Sequence, residues 1–220
     1  LESYGESGYL ADVNQDGFLD ILLHDRRDQV LIYLGGPSGY SGDRTLKLPC
    51  DVTEESAWMN TADLNQDGWL DLVVSVMGHR IRKPNTLQIF YGGAGGHSPA
   101  RSERYLGNYS PIQTSVADFN RDGHLDLVTT AYSTATARVV PARLFWGNGS
   151  KIDFDHPLLF PTESSSSITH MDLNRDGWID LVFACHRNDA GHKVDSLIYW
   201  NSRNGFDLSH PTRLPGLGPH

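Results

Sequence analysis

The sequence predicts an all-β protein, a β-propeller region built of four-stranded antiparallel blades. Three observations carry that expectation. A nine-residue acidic loop recurs four times at a period of about 50 residues, and the copies account for essentially the whole chain. Each loop is followed by short apolar runs of strand length, separated by turn residues. No long helical periodicity runs along the 220 residues.

The blades are read in order as residues 8–50, 57–107, 111–162 and 165–215 of a single region spanning 1–220. In the first, the loop Asp12–Asp20 leads into Ile21-Leu22-Leu23, then Leu31-Ile32-Tyr33-Leu34-Gly35, and Thr45–Leu48 closes the unit. In the second, Asp63–Asp71 leads into Leu72-Val73-Val74 and then Leu87–Gly92. In the third, Ser115-Val116-Ala117 precedes Asp118–Asp126, and Leu127-Val128-Thr129 and Leu144-Phe145-Trp146-Gly147 follow. In the fourth, Asp172–Asp180 leads into Leu181-Val182-Phe183, Leu197–Trp200 and Thr212-Arg213-Leu214. Such a sheet cannot bury both faces alone, so successive copies stack as propeller blades. The strand-ending aromatics Tyr33, Tyr91, Trp146 and Trp200 read as core between sheets. The tryptophan-aspartate signature of WD40 blades is missing. Kelch-like glycine pairs occur at Gly35-Gly36 and Gly92-Gly93, but not in the third and fourth copies, and kelch blades do not explain the acidic loop.

Composition narrows the function classes. With 39% hydrophobic and 20% charged residues the chain reads as globular, not disordered, collagenous or coiled-coil. No run of about 18 apolar residues exists, so no membrane insertion is expected. The opening Leu1-Glu2-Ser3-Tyr4 carries no signal-peptide pattern. A net charge of −9 argues against a nucleic-acid partner. Cys50 and Cys185 are too few for a disulfide scaffold and read as buried thiols.

The loop Asp-x-Asn-x-Asp-Gly-x-x-Asp places oxygen-bearing side chains at positions 1, 3, 5 and 9. Calcium takes about six to eight hard oxygen ligands, backbone carbonyls and water among them. Glycine at position 6 allows a sharp turn. Position 7 then offers its backbone carbonyl, from Phe18, Trp69, His124 or Trp178. An EF-hand needs a glutamate at position 12, where this chain has Leu23, Val74, Thr129 and Phe183. Asn-x-Asp-Gly alone is a turn signal. A turn requires neither the first nor the ninth aspartate, yet both stand in all four copies. Twelve of the 27 acidic residues are loop aspartates, and four calcium ions would bring the net charge from −9 to −1.

These residues closely resemble the FG-GAP/VCBS repeat family, the blades of integrin α-chain propellers, many secreted bacterial proteins and some lectins. The resemblance covers all four copies. It implies calcium, about one ion per repeat, in the turn between the first and second strands of each blade. The implied ligands are Asp12, Asn14, Asp16 and Asp20; Asp63, Asn65, Asp67 and Asp71; Asp118, Asn120, Asp122 and Asp126; and Asp172, Asn174, Asp176 and Asp180. Propellers of this family usually have seven blades. Four copies therefore lead us to expect part of a larger propeller, completed by the remaining blades of a parent chain or by a second copy, with a closed four-bladed ring as the alternative.

The connections between second and third strands emerge opposite the calcium loops and hold nine of the 18 basic residues, Arg26, Arg27, Arg80, Arg82, Lys83, Arg138, Arg143, Arg187 and Lys193, against four acids, Asp25, Asp28, Asp189 and Asp195. His24, His79, His186 and His192 lie in the same segments. They read either as a solvated loop face or as an electropositive surface for an anionic partner, such as an acidic polysaccharide or protein segment. Phe18, Trp69 and Trp178 either pack between blades or offer platforms to sugar rings. No G-x-S-x-G, H-E-x-x-H or phosphate loop is present, and no catalytic residue is assigned. Some polysaccharide lyases resemble the family, and His79, Arg80 and Tyr132 are the residues placed for such chemistry. The functional expectation is a calcium-stabilised binding module for carbohydrate or protein, located extracellularly, at the cell surface or in the periplasm, where calcium is abundant. A structural spacer and a lyase-like enzyme are the alternatives. Asn108-Tyr109-Ser110 and Asn148-Gly149-Ser150 fit the glycosylation pattern of a eukaryotic secretory host.

Overall fold

Residues that alternate between two packed layers form strands, and the run after each loop is apolar enough to be covered on both faces. A computed structural model describes residues 8–25, 27–53, 57–76, 85–107 and 109–216. It contains sixteen strands in four sheets, each ordered as the chain runs, with every neighbouring pair antiparallel. The first sheet is β1 (Gly8–Ala11), β2 (Asp20–Asp25), β3 (Arg27–Tyr33) and β4 (Thr45–Thr53). The second is β5 (Ala57–Ala62), β6 (Asp71–Val76), β7 (Asn85–Phe90) and β8 (Ser102–Gly107). The third is β9 (Thr114–Ala117), β10 (Asp126–Thr129), β11 (Ala142–Phe145) and β12 (Leu158–Phe160). The fourth is β13 (Ser165–Met171), β14 (Asp180–Cys185), β15 (Ser196–Tyr199) and β16 (Thr212–Leu214). These are four propeller blades. Among the described residues the helical content is one 3-10 turn, Gly42–Arg44, and no helix is long and apolar enough to cross a membrane.

The chain divides into two compact units, Leu1–Gly107 and Asn108–His220. In the first, β6 is buried at every position. Leu22, Ile32 and Leu48 of one blade form a common core with Met59, Leu72, Val74 and Phe90 of the next. In the second unit Phe119, Val128, Leu144 and Phe160 pack with Ile168, Leu181, Phe183 and Tyr199. The Phe160 ring meets Phe183 at 5.6 Å and Tyr199 at 5.0 Å between centroids. Polar contacts also join the innermost strands of the second unit. Gln113 Oε1 accepts from the Ser167 hydroxyl at 2.8 Å and the Ile168 N–H at 2.9 Å. Ser115 Oγ and His170 Nδ1 lie 2.6 Å apart.

The fully buried position in each third strand lies one residue before the expected aromatic. Ile32, Phe90, Phe145 and Tyr199 are buried, whereas Tyr33, Tyr91, Trp146 and Trp200 are half-buried. Successive strand residues point to opposite faces, and in the third blade it is the half-buried Trp146 that packs against the core shared with the fourth. Two of the other half-buried aromatics meet a polar partner: the Tyr91 hydroxyl donates to Glu103 at 3.1 Å and the Trp200 N–H to Thr212 at 2.8 Å. Cys50 and Cys185 are buried thiols in separate units.

The glycine after the third strand is a packing requirement. A Cβ at Gly35, Gly92 or Gly147 would lie 2.3, 2.3 or 2.0 Å from the carbonyl oxygen of Leu19, Leu70 or Leu125. Gly147→Ala is therefore expected to cost about 1–3 kcal/mol through displaced backbone. Gly42→Ala, which meets open space, should stay within about 0.5 kcal/mol of the parent. Urea unfolding of the two variants checks the contrast.

Candidate functional site

Each acidic loop winds around its own aspartates. The residue at position 4 takes a left-handed backbone in every copy, with φ of 59° at Gln15, 58° at Gln66, 60° at Arg121 and 62° at Arg175. Position 6 does the same through Gly17, Gly68, Gly123 and Gly177. These turns aim backbone N–H groups inward at the side-chain oxygens. In the second loop Asp63 accepts from the Asp67 N–H at 3.0 Å and the Gly68 N–H at 2.9 Å. Asn65 Oδ1 also accepts from the Asp67 N–H, at 3.1 Å, and Asp67 accepts from the Trp69 N–H at 2.9 Å. The other three loops repeat this pattern at Asp12, Asn14 and Asp16, at Asp118, Asn120 and Asp122, and at Asp172, Asn174 and Asp176. Oxygens at positions 1 and 3 thus face one backbone nitrogen.

The ninth aspartate does something different. Asp20, Asp71, Asp126 and Asp180 are wholly buried at the start of the second strand. One oxygen of Asp71 accepts the Leu64 N–H and the other the Gly92 N–H, both at 2.8 Å. Asp20 holds Val13 and Gly35 in the same way, Asp126 holds Phe119 and Gly147, and Asp180 holds Leu173 and Asn201. This carboxylate ties the loop to the end of the third strand. Burial pushes Asp71 and Asp126 up to about 6, outweighing those N–H bonds, and the neighbouring loop carboxylates push the same way. Asp20 is raised for the same reasons. The stability these two groups confer is full below the ordinary carboxylate pKa and is lost as pH rises through about 6. At neutral pH each therefore sits as an anion among anions.

Donor chemistry suits a hard cation: carboxylate and amide oxygens at positions 1, 3 and 5, with the buried carboxylate behind them. Among the described residues, however, no three His, Cys, Asp or Glu side chains gather into a metal-holding group. The loop oxygens are turned onto the loop's own amides. Loops within a unit are also linked. The Gln15 side chain donates to the Gly68 carbonyl, and the Arg121 guanidinium lies 5.3 Å from the Trp178 ring centre.

The strand-connecting segments place the basic residues unevenly. Arg26, His79, Arg80, Arg82 and Lys83 lie outside the described residues, as does the Arg27 side chain. His24 is buried within β2. Arg143 lies 3.6 Å over the Tyr109 ring and donates to the Pro141 carbonyl at 2.8 Å. Arg138 stands over Tyr132 at 5.4 Å, and Tyr132 stacks on His186 at 5.6 Å with its hydroxyl 2.8 Å from Nδ1. His192 meets His186 edge-on at 4.8 Å. Arg187 is half-buried and Lys193 exposed. Acids enter this end too: Asp189 accepts the Arg138 N–H at 3.1 Å and Glu163 accepts from Asn188 at 3.0 Å. The surface is less purely positive than charge counting suggests. Tyr132 beside His186 could not be foreseen at this detail, because the residues are distant in sequence. Asn201 was missed because it replaces the repeat's glycine; its side chain donates to the Phe119 carbonyl at 2.8 Å. Removing the buried clamp should be costly in the metal-free protein. Asp71→Ala strips two buried N–H groups of their acceptor and is expected to lose about 2–4 kcal/mol, and Asp71→Asn less, by denaturant unfolding in chelator.

No curated protein matches the chain. Two solved structures of BBS1N in complex with ARL6DN, one soaked with mercury and one with lead, are similar to it, with TM-scores of 0.55 and 0.53 at 11% and 12% identity. They cover 98% and 96% of this chain, which spans about half the length of those chains, 55% in each case. At that identity the likeness concerns the fold. The FG-GAP-like repeat model matches residues 12–74 and 63–129, over half of the chain. With its four acidic loops set at the same turn of four propeller blades, the chain belongs to the FG-GAP-like repeat family.

Proposed function

We propose that this chain is a calcium-stabilised extracellular recognition module. The observation that carries the reading is the fourfold repetition of one oxygen-lined loop, with buried Asp20, Asp71, Asp126 and Asp180 behind it. Positions 1, 3, 5 and 9 supply the side-chain oxygens, and Phe18, Trp69, His124 and Trp178 the backbone carbonyls. When bound, calcium would neutralise carboxylates that otherwise repel one another. The chain's own part is to fix the turn, through the left-handed residues at positions 4 and 6 and the clamp at position 9. Extracellular calcium concentrations suit loops of this exposure.

Recognition falls to the surfaces that the blades hold rigid, with a carbohydrate or a protein as ligand. The end of the second unit that carries Arg138, His186, Arg187 and Lys193 supports an anionic ligand there. A protein ligand is favoured by one comparison: BBS1N, the similar propeller, is in complex with ARL6DN.

The test is a melting curve with calcium and again with chelator. At about 100 times Kd each filled loop adds about 2.7 kcal/mol, so a rise of about 5–10 °C in Tm is expected from a single filled loop. Identical melting in both conditions would overturn the calcium reading. Binding on a glycan and polyanion array, run in the same two conditions, tests recognition.

A further inference from the structure

The second unit contains a pocket of about 160 Å³ beside the third and fourth acidic loops. Its walls are Phe119, Trp146, Trp178 and Phe206, with Asn120 and Arg203 adding polar groups. Trp146 and Trp178 are half-buried, so each leaves an aromatic surface facing the hollow. Apolar surface left open in this way favours an occupant.

The walls are fixed in place. Phe206 packs on Phe119 at 6.2 Å and on Phe160 at 5.0 Å between ring centres. The turn carrying Arg203 and Phe206 is closed by the Gly205 N–H bonding the Ser202 carbonyl at 2.9 Å, and Ser202 Oγ donates to the Gly205 carbonyl at 3.1 Å. Asn201 anchors that turn to the third loop through the Phe119 carbonyl. At the equivalent place the other three blades have glycine. The fourth blade thus departs from the repeat at a residue that borders the pocket.

Size and charge restrict the occupant. The volume equals the share of about five water molecules, which suits one six-membered ring. Arg203 at the rim and Arg121 over Trp178 disfavour a cation. Asp122 and Asp176, bonded to Asn120 at 2.8 Å and to the Trp178 N–H at 2.9 Å, belong to loops whose three aspartates keep a charge of −1 even with one calcium bound, which disfavours an anion. A neutral pyranose satisfies these limits. Its C–H faces would lie against the indole rings, with its hydroxyls toward Ser202 and Arg203. We infer that this pocket binds a single neutral sugar ring, such as the terminal unit of a glycan, between Trp146 and Trp178. The inference rests on the recognition-module reading and gives it a second site, distinct from the basic end.

The test is titration of the full chain with the methyl glycosides of glucose, galactose and mannose, followed by tryptophan fluorescence and saturation-transfer NMR, with calcium present. At least one glycoside is expected to bind with Kd in the millimolar range and change the fluorescence. Trp146→Ala should weaken it about tenfold. Arg203→Ala, at an exposed position, should weaken it severalfold and keeps the test decisive if the tryptophan variant misfolds. Silence with all three glycosides, or unchanged binding in the folded Arg203→Ala protein, would overturn the pocket. So would displacement by tetramethylammonium, which marks a cation cage. Undiminished array binding by folded Trp146→Ala protein would remove the pocket while leaving the recognition-module reading in place.

Discussion

A buried carboxylate that accepts two backbone N–H groups sits at the base of every blade, and the rest of each blade is arranged around it. Asp20, Asp71, Asp126 and Asp180 each begin a second strand, hold the loop before it, and hold the residue that ends the third strand. A burial cost of this kind is tolerated only when the charged oxygens are bonded. The loop's left-handed turns then present the remaining oxygens to the loop's own amides. Strand geometry, loop geometry and the tight glycine approach at Gly35, Gly92 and Gly147 all follow from one residue's need for two donors.

That arrangement makes the acidic loops part of the scaffold, and the proposed calcium ions would add to it. Asp20, Asp71 and Asp126 are raised by burial and by their acidic neighbours, so the fold carries electrostatic cost at neutral pH. Under the calcium proposal, a bound cation would offset that cost. The links from Gln15 to Gly68 and from Arg121 to Trp178 join successive loops within a unit, so order in one loop supports the next. Surfaces beside such loops are rigid, which lowers the entropy lost when a ligand is bound.

Much of this was legible in the sequence because it is repeated. Four copies of Asp-x-Asn-x-Asp-Gly-x-x-Asp gave the blade count, the turn residues and the strand that follows each loop. What one copy shows ambiguously, four show by registration. Two features were not legible. The position of the aromatic core, at Phe90 and not Tyr91, depends on which face of a strand meets the neighbouring blade, and alternation alone does not say. The dual grip of the ninth aspartate depends on where the third strand ends in space. Residues outside the repeat pattern escaped for the same reason: Asn201, Tyr132 and His186 gain their roles from partners 54 to 82 positions away. Charge counting pointed to a basic end that already held Asp189, and the structure adds Glu163 to it.

The ninth aspartate organises each blade, and amide hydrogen exchange reads that grip one N–H at a time. The amides of Val13, Leu64, Phe119 and Leu173, with those of Gly35, Gly92, Gly147 and Asn201, donate to these carboxylates. All eight are expected to exchange only by opening of the blade, as slowly as the central strands. Exchange as fast as that of an exposed turn amide such as Gly39, with the strands still protected, would contradict it.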